Sequence, residues 1–436
     1  MNKKFYIKTY GCQMNVNDSE LVAAILEDTG FKMTTNIDKA DIILFNSCSV
    51  RQHAEDRVVG RITQEGSRKN ASNLPLIGLL GCVAQKNGNK LLTEIQALDF
   101  VVGTDQYKKL PEIILSAFQN KIRKAFIEQD NSVIYEDIKP VRKKGTNAFV
   151  TIMRGCNNFC TYCIVPYVRG RERSRNINKI LKEIKEAGEA EYKDITLLGQ
   201  NVNSYKFKEY DFADLLKKAA QIDNIKRLRF VTSHPKDLSD EVIKTMASEK
   251  KICESLHLPL QSASNEILGR MNRKYTYEHY LEIINKLRDA MPDIAITTDV
   301  LVGFPGESEE DFLKTYNALK SIEFDYSFTF KYSPRQGTKA AEFDDQVDEK
   351  VRLRRLKKLI DLQNDITAKK YKEKIGNIES VYVEQISKKC DKELSGRTKD
   401  NKIAVFPGKK KLIGSFADIK IVDAIGWTLI GEKFKS

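Results

Sequence analysis

The chain predicts an α/β protein of three units: a doubly wound, Rossmann-like amino-terminal sheet, a partial TIM-like (β/α)6 barrel, and a small carboxy-terminal antiparallel β-barrel. Strand and helix signals alternate from Phe5 to Gly103, and a second alternating series runs from Asn147 to Lys331. After a basic helical run, short strand patterns broken by Gly, Pro and Lys turns occupy Ser380 to Trp427. At 436 residues the chain has room for several cores, and the divisions fall at 1–118, 119–146 (a linker), 147–373 and 374–436.

In the first unit Phe5 to Tyr10 reads as a strand, Asp18 to Gly30 as an amphipathic helix closed by glycine, and Ala40 to Asn46 as a buried strand. A helix from about Ala54, a strand Leu76 to Leu80, a helix near Leu91 to Ala97 and a strand Phe100 to Gly103 follow. From Gln119 to Thr146 the chain turns polar, with Lys and Arg clustered near Pro140. In the second unit strands are expected at Ala148 to Met153, Asp194 to Leu198, Arg227 to Thr232, Ser255 to Pro259, Ala295 to Val302 and Tyr326 to Lys331. Helices such as Ile177 to Ala187 and Tyr277 to Asp289 separate them. Six parallel strands of this kind collect ligands at their carboxyl ends. In the third unit, Ser380 to Gln385, Lys402 to Phe406 and Phe416 to Asp423 read as strands.

Composition excludes several classes. No run approaches the ~20 apolar residues that span a bilayer, and the first residues enter a strand pattern without a signal-peptide core. A cytoplasmic monomer with no membrane partner is expected. Eight cysteines in so long a chain do not make a disulfide scaffold; they are expected as metal ligands or core residues. The net charge of +13 is concentrated in the middle and tail. Glu349 to Lys374 carries ten basic and four acidic residues, which fits either a salt-bridged solvated helix or a phosphate-binding one.

Six of the cysteines form two sets of three. Cys156, Cys160 and Cys163, spaced C-x3-C-x2-C, can hold a cubane iron–sulfur cluster by three of its four irons, leaving the fourth free for a ligand. A closed structural zinc site would want a fourth ligand, and no histidine follows until His234. Cys12, Cys48 and Cys82 each follow a predicted strand of the first unit. Loops after the carboxyl ends of parallel strands meet in one crevice, so these three thiols are expected to converge and to hold a second three-cysteine cluster. Cys253 and Cys390 have no such geometry and are read as non-ligands.

The run Cys156 to Cys163, with an aromatic before the last cysteine, resembles the radical S-adenosylmethionine (SAM) superfamily. Two open clusters followed by a small β-barrel resemble, over essentially the whole chain, the radical-SAM methylthiotransferases, whose terminal β-domain is the RNA-binding TRAM module. Tyr10-Gly11-Cys12-Gln13-Met14-Asn15, with Asp18-Ser19-Glu20 after it, is similar to the MiaB branch, which acts on isopentenylated adenosine in tRNA. Asn46-Ser47-Cys48-Ser49-Val50-Arg51 departs conservatively from the commoner Asn-Thr-Cys-Ser-Ile-Arg. The branches acting on threonylcarbamoyladenosine or on a ribosomal-protein aspartate carry other residues after the first cysteine. They stand as alternatives, beside a non-catalytic iron–sulfur RNA-binding redox sensor.

The resemblance implies two 4Fe–4S clusters and SAM as cofactors. The cluster on Cys156, Cys160 and Cys163 would cleave SAM to a radical that takes hydrogen from C2 of the adenine. The cluster on Cys12, Cys48 and Cys82 would carry the sulfur, methylated by a second SAM. Implied partners are the anticodon stem-loop of tRNA, an electron donor such as a flavodoxin or ferredoxin, and a sulfur donor. SAM contacts are expected at the strand ends: Gly199, Gln200, Asn201 and Asn203 after the second barrel strand, Ser233 and His234 after the third, and Gln261 after the fourth. At or after the fifth come Thr298, Asp299 and Gly303, and Tyr162 would pack near the adenine, unless it is a core aromatic. Arg169, Arg171, Arg173 and Arg175 alternate, so on extended backbone they would line one face and meet phosphates, unless they form a solvated loop. Arg397, Lys409 and Lys410 are expected to touch RNA from the terminal barrel, with Trp427 in its core.

Overall fold

The computed structural model describes residues 3–49, 52–69, 74–120, 123–142 and 145–434. Val50 and Arg51 of the Cys48 motif, and Lys143 and Lys144 of the basic cluster near Pro140, lie outside them. The first unit is a six-stranded parallel sheet, β1 (Lys4–Tyr10), β2 (Lys32–Met33), β3 (Ile42–Ser47), β4 (Leu76–Gly81), β5 (Phe100–Val102) and β6 (Lys124–Phe126), in the order β2-β1-β3-β4-β5-β6. Helices α1 (Gln13–Asp28), α2 (Gln52–Gly66), α3 (Cys82–Glu94) and α4 (Leu110–Asn120) connect the strands. Strands β3 and β4 are buried along their whole length, as parallel strands covered on both faces must be.

Two helices begin earlier than expected. Asn17 and Asp18 look like cap residues, yet they lie inside α1 and are buried, while Cys12 is its N-cap. The side chains of Asn17 and Asp18 face the second unit, so tertiary pairing overrides weak helix propensity. Helix α3 starts at Cys82, nine residues before Leu91, because Gly88 lets it pack tightly on Val101. The expected linker is also part of the fold: β6 extends the sheet, and Tyr135 sits in its core beside Tyr107.

The barrel comprises β7 (Asn147–Thr151), β10 (Asp194–Leu198), β13 (Arg227–Phe230), β14 (Ser255–His257), β15 (Ala295–Val302) and β16 (Tyr326–Lys331). They form two parallel three-stranded sheets, β13-β10-β7 and β14-β15-β16, and a bridge between Leu228 and Ile252 links the seam. The short ribbons β8 (Met153–Arg154) with β9 (Arg173–Ser174), and β11 (Lys206–Phe207) with β12 (Tyr210–Asp211), lie in the connections. Helices α5 (Val165–Arg169), α6 (Ile177–Glu189), α7 (Phe212–Ala220), α8 (Asp240–Ser248), α9 (Asn265–Arg270), α10 (Tyr277–Ala290) and α11 (Glu309–Ile322) follow in turn. One core joins the barrel strands to α6, α7, α8, α10 and α11.

The basic run is α12 (Glu349–Lys372). It carries ion pairs from Arg355 to Glu307 and Glu309, Lys369 to Glu323 and Lys370 to Asp325, which favours the salt-bridged reading. The third unit closes into a five-stranded barrel, β17 (Ile378–Ile386), β18 (Glu393–Arg397), β19 (Ile403–Pro407), β21 (Thr428–Lys433) and β20 (Phe416–Ile425), two of whose strands the sequence did not reveal. Trp427 departs from expectation: it is 49% exposed. It sits in the tight β20–β21 hairpin, whose turn side chains point away from the barrel interior, and meets Tyr326 edge-on. No helix among the described residues is long and apolar enough to cross a membrane.

The terminal barrel is docked by buried polar contacts. Arg227 donates to the carbonyls of Arg397 and Ser380, both at 2.6 Å, and Arg229 to those of Thr398 and Lys399. Lys402 bridges Asp400 and Asp325 at 2.8 and 2.7 Å, and Lys374 joins Asp400 to Glu379. Burial alone would raise the Asp400 carboxyl, but Lys402 and Lys374 outweigh it and hold it below the usual carboxylate range. A depressed folded pKa contributes stability that is complete above the unfolded value of ~3.9 and is lost as pH falls below it. Thermal unfolding is therefore expected at steadily lower temperature as pH drops from about 5 toward 2, and Lys402→Met should flatten that slope. Calorimetry across this range checks it; an equal slope in both proteins would remove the network from the account.

Candidate functional site

Strand register brings the first three cysteines together. Tyr10, Ser47 and Gly81 are paired across β1, β3 and β4, so Cys12, Cys48 and Cys82 follow within two residues of one line across the sheet. Gly11, at φ +137°, permits the approach: a Cβ there would lie 2.4 Å from the Cys48 Cβ. Cys48 donates its backbone N–H to the Tyr10 carbonyl, and the Cys12 thiol donates to Asn15 Oδ1 at 3.2 Å. Asn15 and Asn46 donate to each other's oxygens at 2.9 Å, tying the loops. A hydrogen bond from Cys48, reinforced by the Arg169 charge, lowers the Cys12 thiol to about 6 against the opposing effect of desolvation. Burial pushes the Cys82 thiol up, and Arg169 opposes that rise.

The second set lies in the loop after β8. Cys156 and Cys160 are buried and Cys163 is partly exposed. Gly155, at φ +78°, passes so close to the Arg171 carbonyl that a Cβ would meet it at 2.0 Å. The Gly155 N–H donates to Gln200 Oε1, so Gln200 braces this loop. Thr161 donates to the Met271 and Arg270 carbonyls, and Asn272 to those of Asn158 and Phe159. Burial, with the neighbouring Cys160 sulfur, pushes Cys163 up to about 12. Arg273, itself buried, reaches Cys160 Sγ at 3.4 Å and is held by Tyr275 and the Pro259 carbonyl. Among the described residues no three His, Cys, Asp or Glu side chains are packed tightly enough to share a single metal ion. A cubane cluster would ask for something else, namely soft sulfur donors for separate corner irons, and each set offers three cysteine sulfurs.

Buried arginines connect the two sets. Asp18 of α1, with no exposed surface, accepts from Arg154 Nη1 at 3.1 Å and from Arg169 Nη2 at 2.7 Å. Arg154 precedes Gly155 and Cys156, and its Nη2 also reaches the Thr104 carbonyl. Arg169 donates through Nε to Cys82 Sγ at 3.2 Å. The second unit thus supplies a cation to a cysteine of the first. Arg173 pairs with Asp105, and Arg175 with Glu183 and the Thr151 carbonyl. The expectation that four alternating arginines line an RNA-facing surface is corrected here: Arg169, Arg173 and Arg175 are buried in ion pairs, and Arg171 alone is exposed. The backbone is helical through Arg169 and turns at Gly170, so the assumed extended alternation does not hold.

The barrel's strand ends carry buried polar atoms with no partner among the described residues: Asn201 Oδ1, both amide atoms of Asn203, Ser233 Oγ and His234 Nε2. Such orphans are rare in folded proteins and here fit a polar ligand. Burial, with the nearby Arg273 charge, lowers His234 to about 2, so its imidazole is neutral. Gln261, at φ +66°, sits at the same end, bridged to Val300. Gly199 packs against Met153. Thr298 departs from expectation: it faces the helices, fully buried, with its hydroxyl engaged by the Leu258 carbonyl and Leu260 N–H. Asp299 points to the opposite face and meets His257. Gly303 is backed by Arg352 of α12, which accounts for the glycine without a ligand. Tyr162 packs edge-on to Phe304. In the terminal barrel, Lys409 and Lys410 are exposed and Arg397 pairs with Glu384. Cys253 is buried and Cys390 is unpaired.

Sequence reading had not assigned roles to Asp18, Arg154, Arg273, Asn15 or Asn46. Two carried a usable signal: Arg154 adjoins the Gly155-Cys156 run and Asp18 follows the Cys12 run. Arg273 had none, being over a hundred residues from Cys160.

A barrel of β/α units with an open three-cysteine loop at its strand ends defines the radical-SAM class. The Radical SAM superfamily model matches residues 150–319, the uncharacterized protein family UPF0004 model residues 4–103, and the TRAM domain model residues 372–434. A tRNA-2-methylthio-N(6)-dimethylallyladenosine synthase of Thermoanaerobacter sp. (strain X514) is 49% identical over 437 residues, covering 99% of this chain and 93% of that protein. One of Carboxydothermus hydrogenoformans is 47% identical over 427 residues, covering 97% of each. The chain belongs to this family, the radical-SAM tRNA methylthiotransferases of the MiaB branch. A radical S-adenosylmethionine methyltransferase, TsrM, from Kitasatospora setae, solved with cobalamin and a [4Fe-4S] cluster bound, shares the fold, with a TM-score of 0.59 at 13% identity over 78% of this chain and 77% of that one. Membership of the radical-SAM class implies a 4Fe–4S cluster and SAM.

Replacing Asp18 by Asn leaves two guanidinium groups buried without a counter-charge, a change worth about 3–5 kcal/mol. Urea unfolding of the cluster-free protein should show that loss. Arg169→Met added to Asp18→Asn should cost less than the sum of the single changes, since the three charges act as one unit.

Proposed function

We propose that the chain methylthiolates C2 of N6-isopentenyladenosine beside the anticodon of tRNA, using two 4Fe–4S clusters and two SAM molecules. Cys156, Cys160 and Cys163 are the proposed ligands of the SAM-binding cluster, and Cys12, Cys48 and Cys82 those of the auxiliary cluster. Bound there, these groups supply one-electron SAM cleavage and sulfur delivery, which acid–base side chains cannot perform. The observation that carries the reading is the pair of three-cysteine sets joined through one buried ion cluster, Arg154–Asp18–Arg169. It favours a reaction in which both clusters serve one substrate.

The chain's own residues bind, orient and exclude water. Arg273 beside Cys160 and Arg169 beside Cys82 place positive charge against thiolate sulfur, stabilising the anionic ligand sets. Gln200 and Asn272 fix the cluster loop. Asn201, Asn203, Ser233 and neutral His234 offer donors and acceptors for the amino acid and ribose groups of SAM. Gln261 and Asp299 add to that lining, and the exposed Lys409 and Lys410 of the terminal barrel complete a basic approach for tRNA. On this reading the working units are 1–118, 147–373 and 374–436, the protein acts in the cytoplasm as a monomer, and a flavodoxin or ferredoxin and a sulfur donor serve it.

Anaerobic reconstitution with SAM, reductant and isopentenylated tRNA, followed by nucleoside mass spectrometry, tests the reading. The 2-methylthio product is expected; SAM cleavage with unchanged tRNA would sink it. Alanine at Cys156, Cys160 or Cys163 should abolish SAM cleavage. Alanine at Cys12, Cys48 or Cys82 should leave cleavage in place while ending methylthiolation.

A further inference from the structure

Three side chains around the loop proposed to bind the SAM cluster have no part in holding the fold or the cysteines. Phe159 lies between Cys156 and Cys160, partly exposed, at φ +49°. Bulky residues avoid that left-handed region, and those found there are held by their surroundings, often at functional sites. Here Asn272 holds it, donating to the Phe159 and Asn158 carbonyls at 2.9 and 3.2 Å. The Arg171 guanidinium lies over the Phe159 ring at 4.3 Å. Tyr167, on α5, meets the same ring edge-on, with centroids 6.2 Å apart and planes at 86°, and is 49% exposed. Among the described residues no carboxylate pairs with Arg171, whereas its neighbours Arg169, Arg173 and Arg175 are all engaged by buried acids.

We propose that Phe159, Tyr167 and Arg171 form a stacking platform for an unpaired RNA nucleobase next to the one that reacts. An enzyme that modifies a ring carbon of a base must take that base out of its stack, which leaves a neighbouring base with a bare face. Aromatic rings and guanidinium planes are the usual replacements, and they accept any base because each has a π-face. The uncompensated Arg171 charge also suits a phosphate backbone better than a protein surface rich in carbonyl and apolar groups. Because Phe159 is part of the Cys156–Cys163 loop, a base stacked there is within reach of the reacting position. The platform rests on the tRNA reading given above and adds which side chains the RNA loop meets first beside the cluster.

The test uses the full-length reconstituted protein and an isopentenylated anticodon stem-loop carrying 2-aminopurine beside the modified adenosine. Fluorescence anisotropy reports affinity, and quenching of 2-aminopurine reports stacking. The variants are Tyr167→Leu and Phe159→Leu, which keep apolar bulk but lose the π-system, and Arg171→Gln. Tyr167→Leu alters an exposed side chain, so it decides even where Phe159→Leu disturbs the cluster loop. Quenching on the wild-type protein is expected, with roughly 5- to 150-fold weaker binding and lost quenching in Tyr167→Leu. Unchanged affinity and quenching in Tyr167→Leu would overturn the platform while leaving the tRNA reading intact. A wild-type protein that fails to bind the stem-loop would overturn both.

Discussion

The arrangement of this molecule depends on one buried carboxylate. Asp18 has no exposed surface and sits between two guanidinium groups, one on the strand that leads into the Cys156 loop and one that also touches Cys82. Away from water, two unopposed arginines would be prohibitive, and a lone carboxylate equally so. The amino-terminal sheet and the barrel can therefore close on each other only in the register that brings these three side chains together. Replacing such a cluster by apolar residues need not weaken a protein, so its use here lies in geometry: two cysteine loops from separate sheets are held in fixed relation.

Around that centre, ordinary sheet topology does the rest. Parallel strands put the loops after β1, β3 and β4 side by side, and the barrel sends its own loops to the same end of its strands. Asn15 and Asn46, mutually paired, keep the first crevice from collapsing. The terminal barrel is fastened in a different way, by arginines reaching backbone carbonyls and by the buried Asp325–Lys402–Asp400 chain. Carbonyls accept from any sequence, so this docking constrains the path of the backbone more than the identity of the side chains that present it.

Legibility followed locality. The strands Asp194–Leu198, Ala295–Val302 and Tyr326–Lys331 begin and end as their patterns predict. Helix α1 was misplaced because Asn15, Asn17 and Asp18 are poor helix residues in isolation and become acceptable only through tertiary partners, Asn46 for the first and the barrel for the other two. The arginines at 169 and 173 were read as part of a basic face for the same reason, since an ion pair with Asp18 or Asp105 is invisible in a local window; Glu183 stands only eight residues from Arg175, but the turn that brings it back onto that arginine is tertiary. Trp427 went the other way, an apolar residue placed in a turn where the barrel has no interior to offer.

By itself the sequence determined the order of the three units, the two sets of three cysteines and the likeness to one enzyme family, because spacing along a chain and the period of apolar residues are local quantities. Only the tertiary structure decided what surrounds those cysteines: which arginines touch sulfur, which are consumed by buried acids, and which single one, Arg171, is left facing outward over an aromatic ring. The physical reason is that a charge has no fixed meaning until its desolvation and its partners are known, and most of those partners lie tens to more than a hundred positions away.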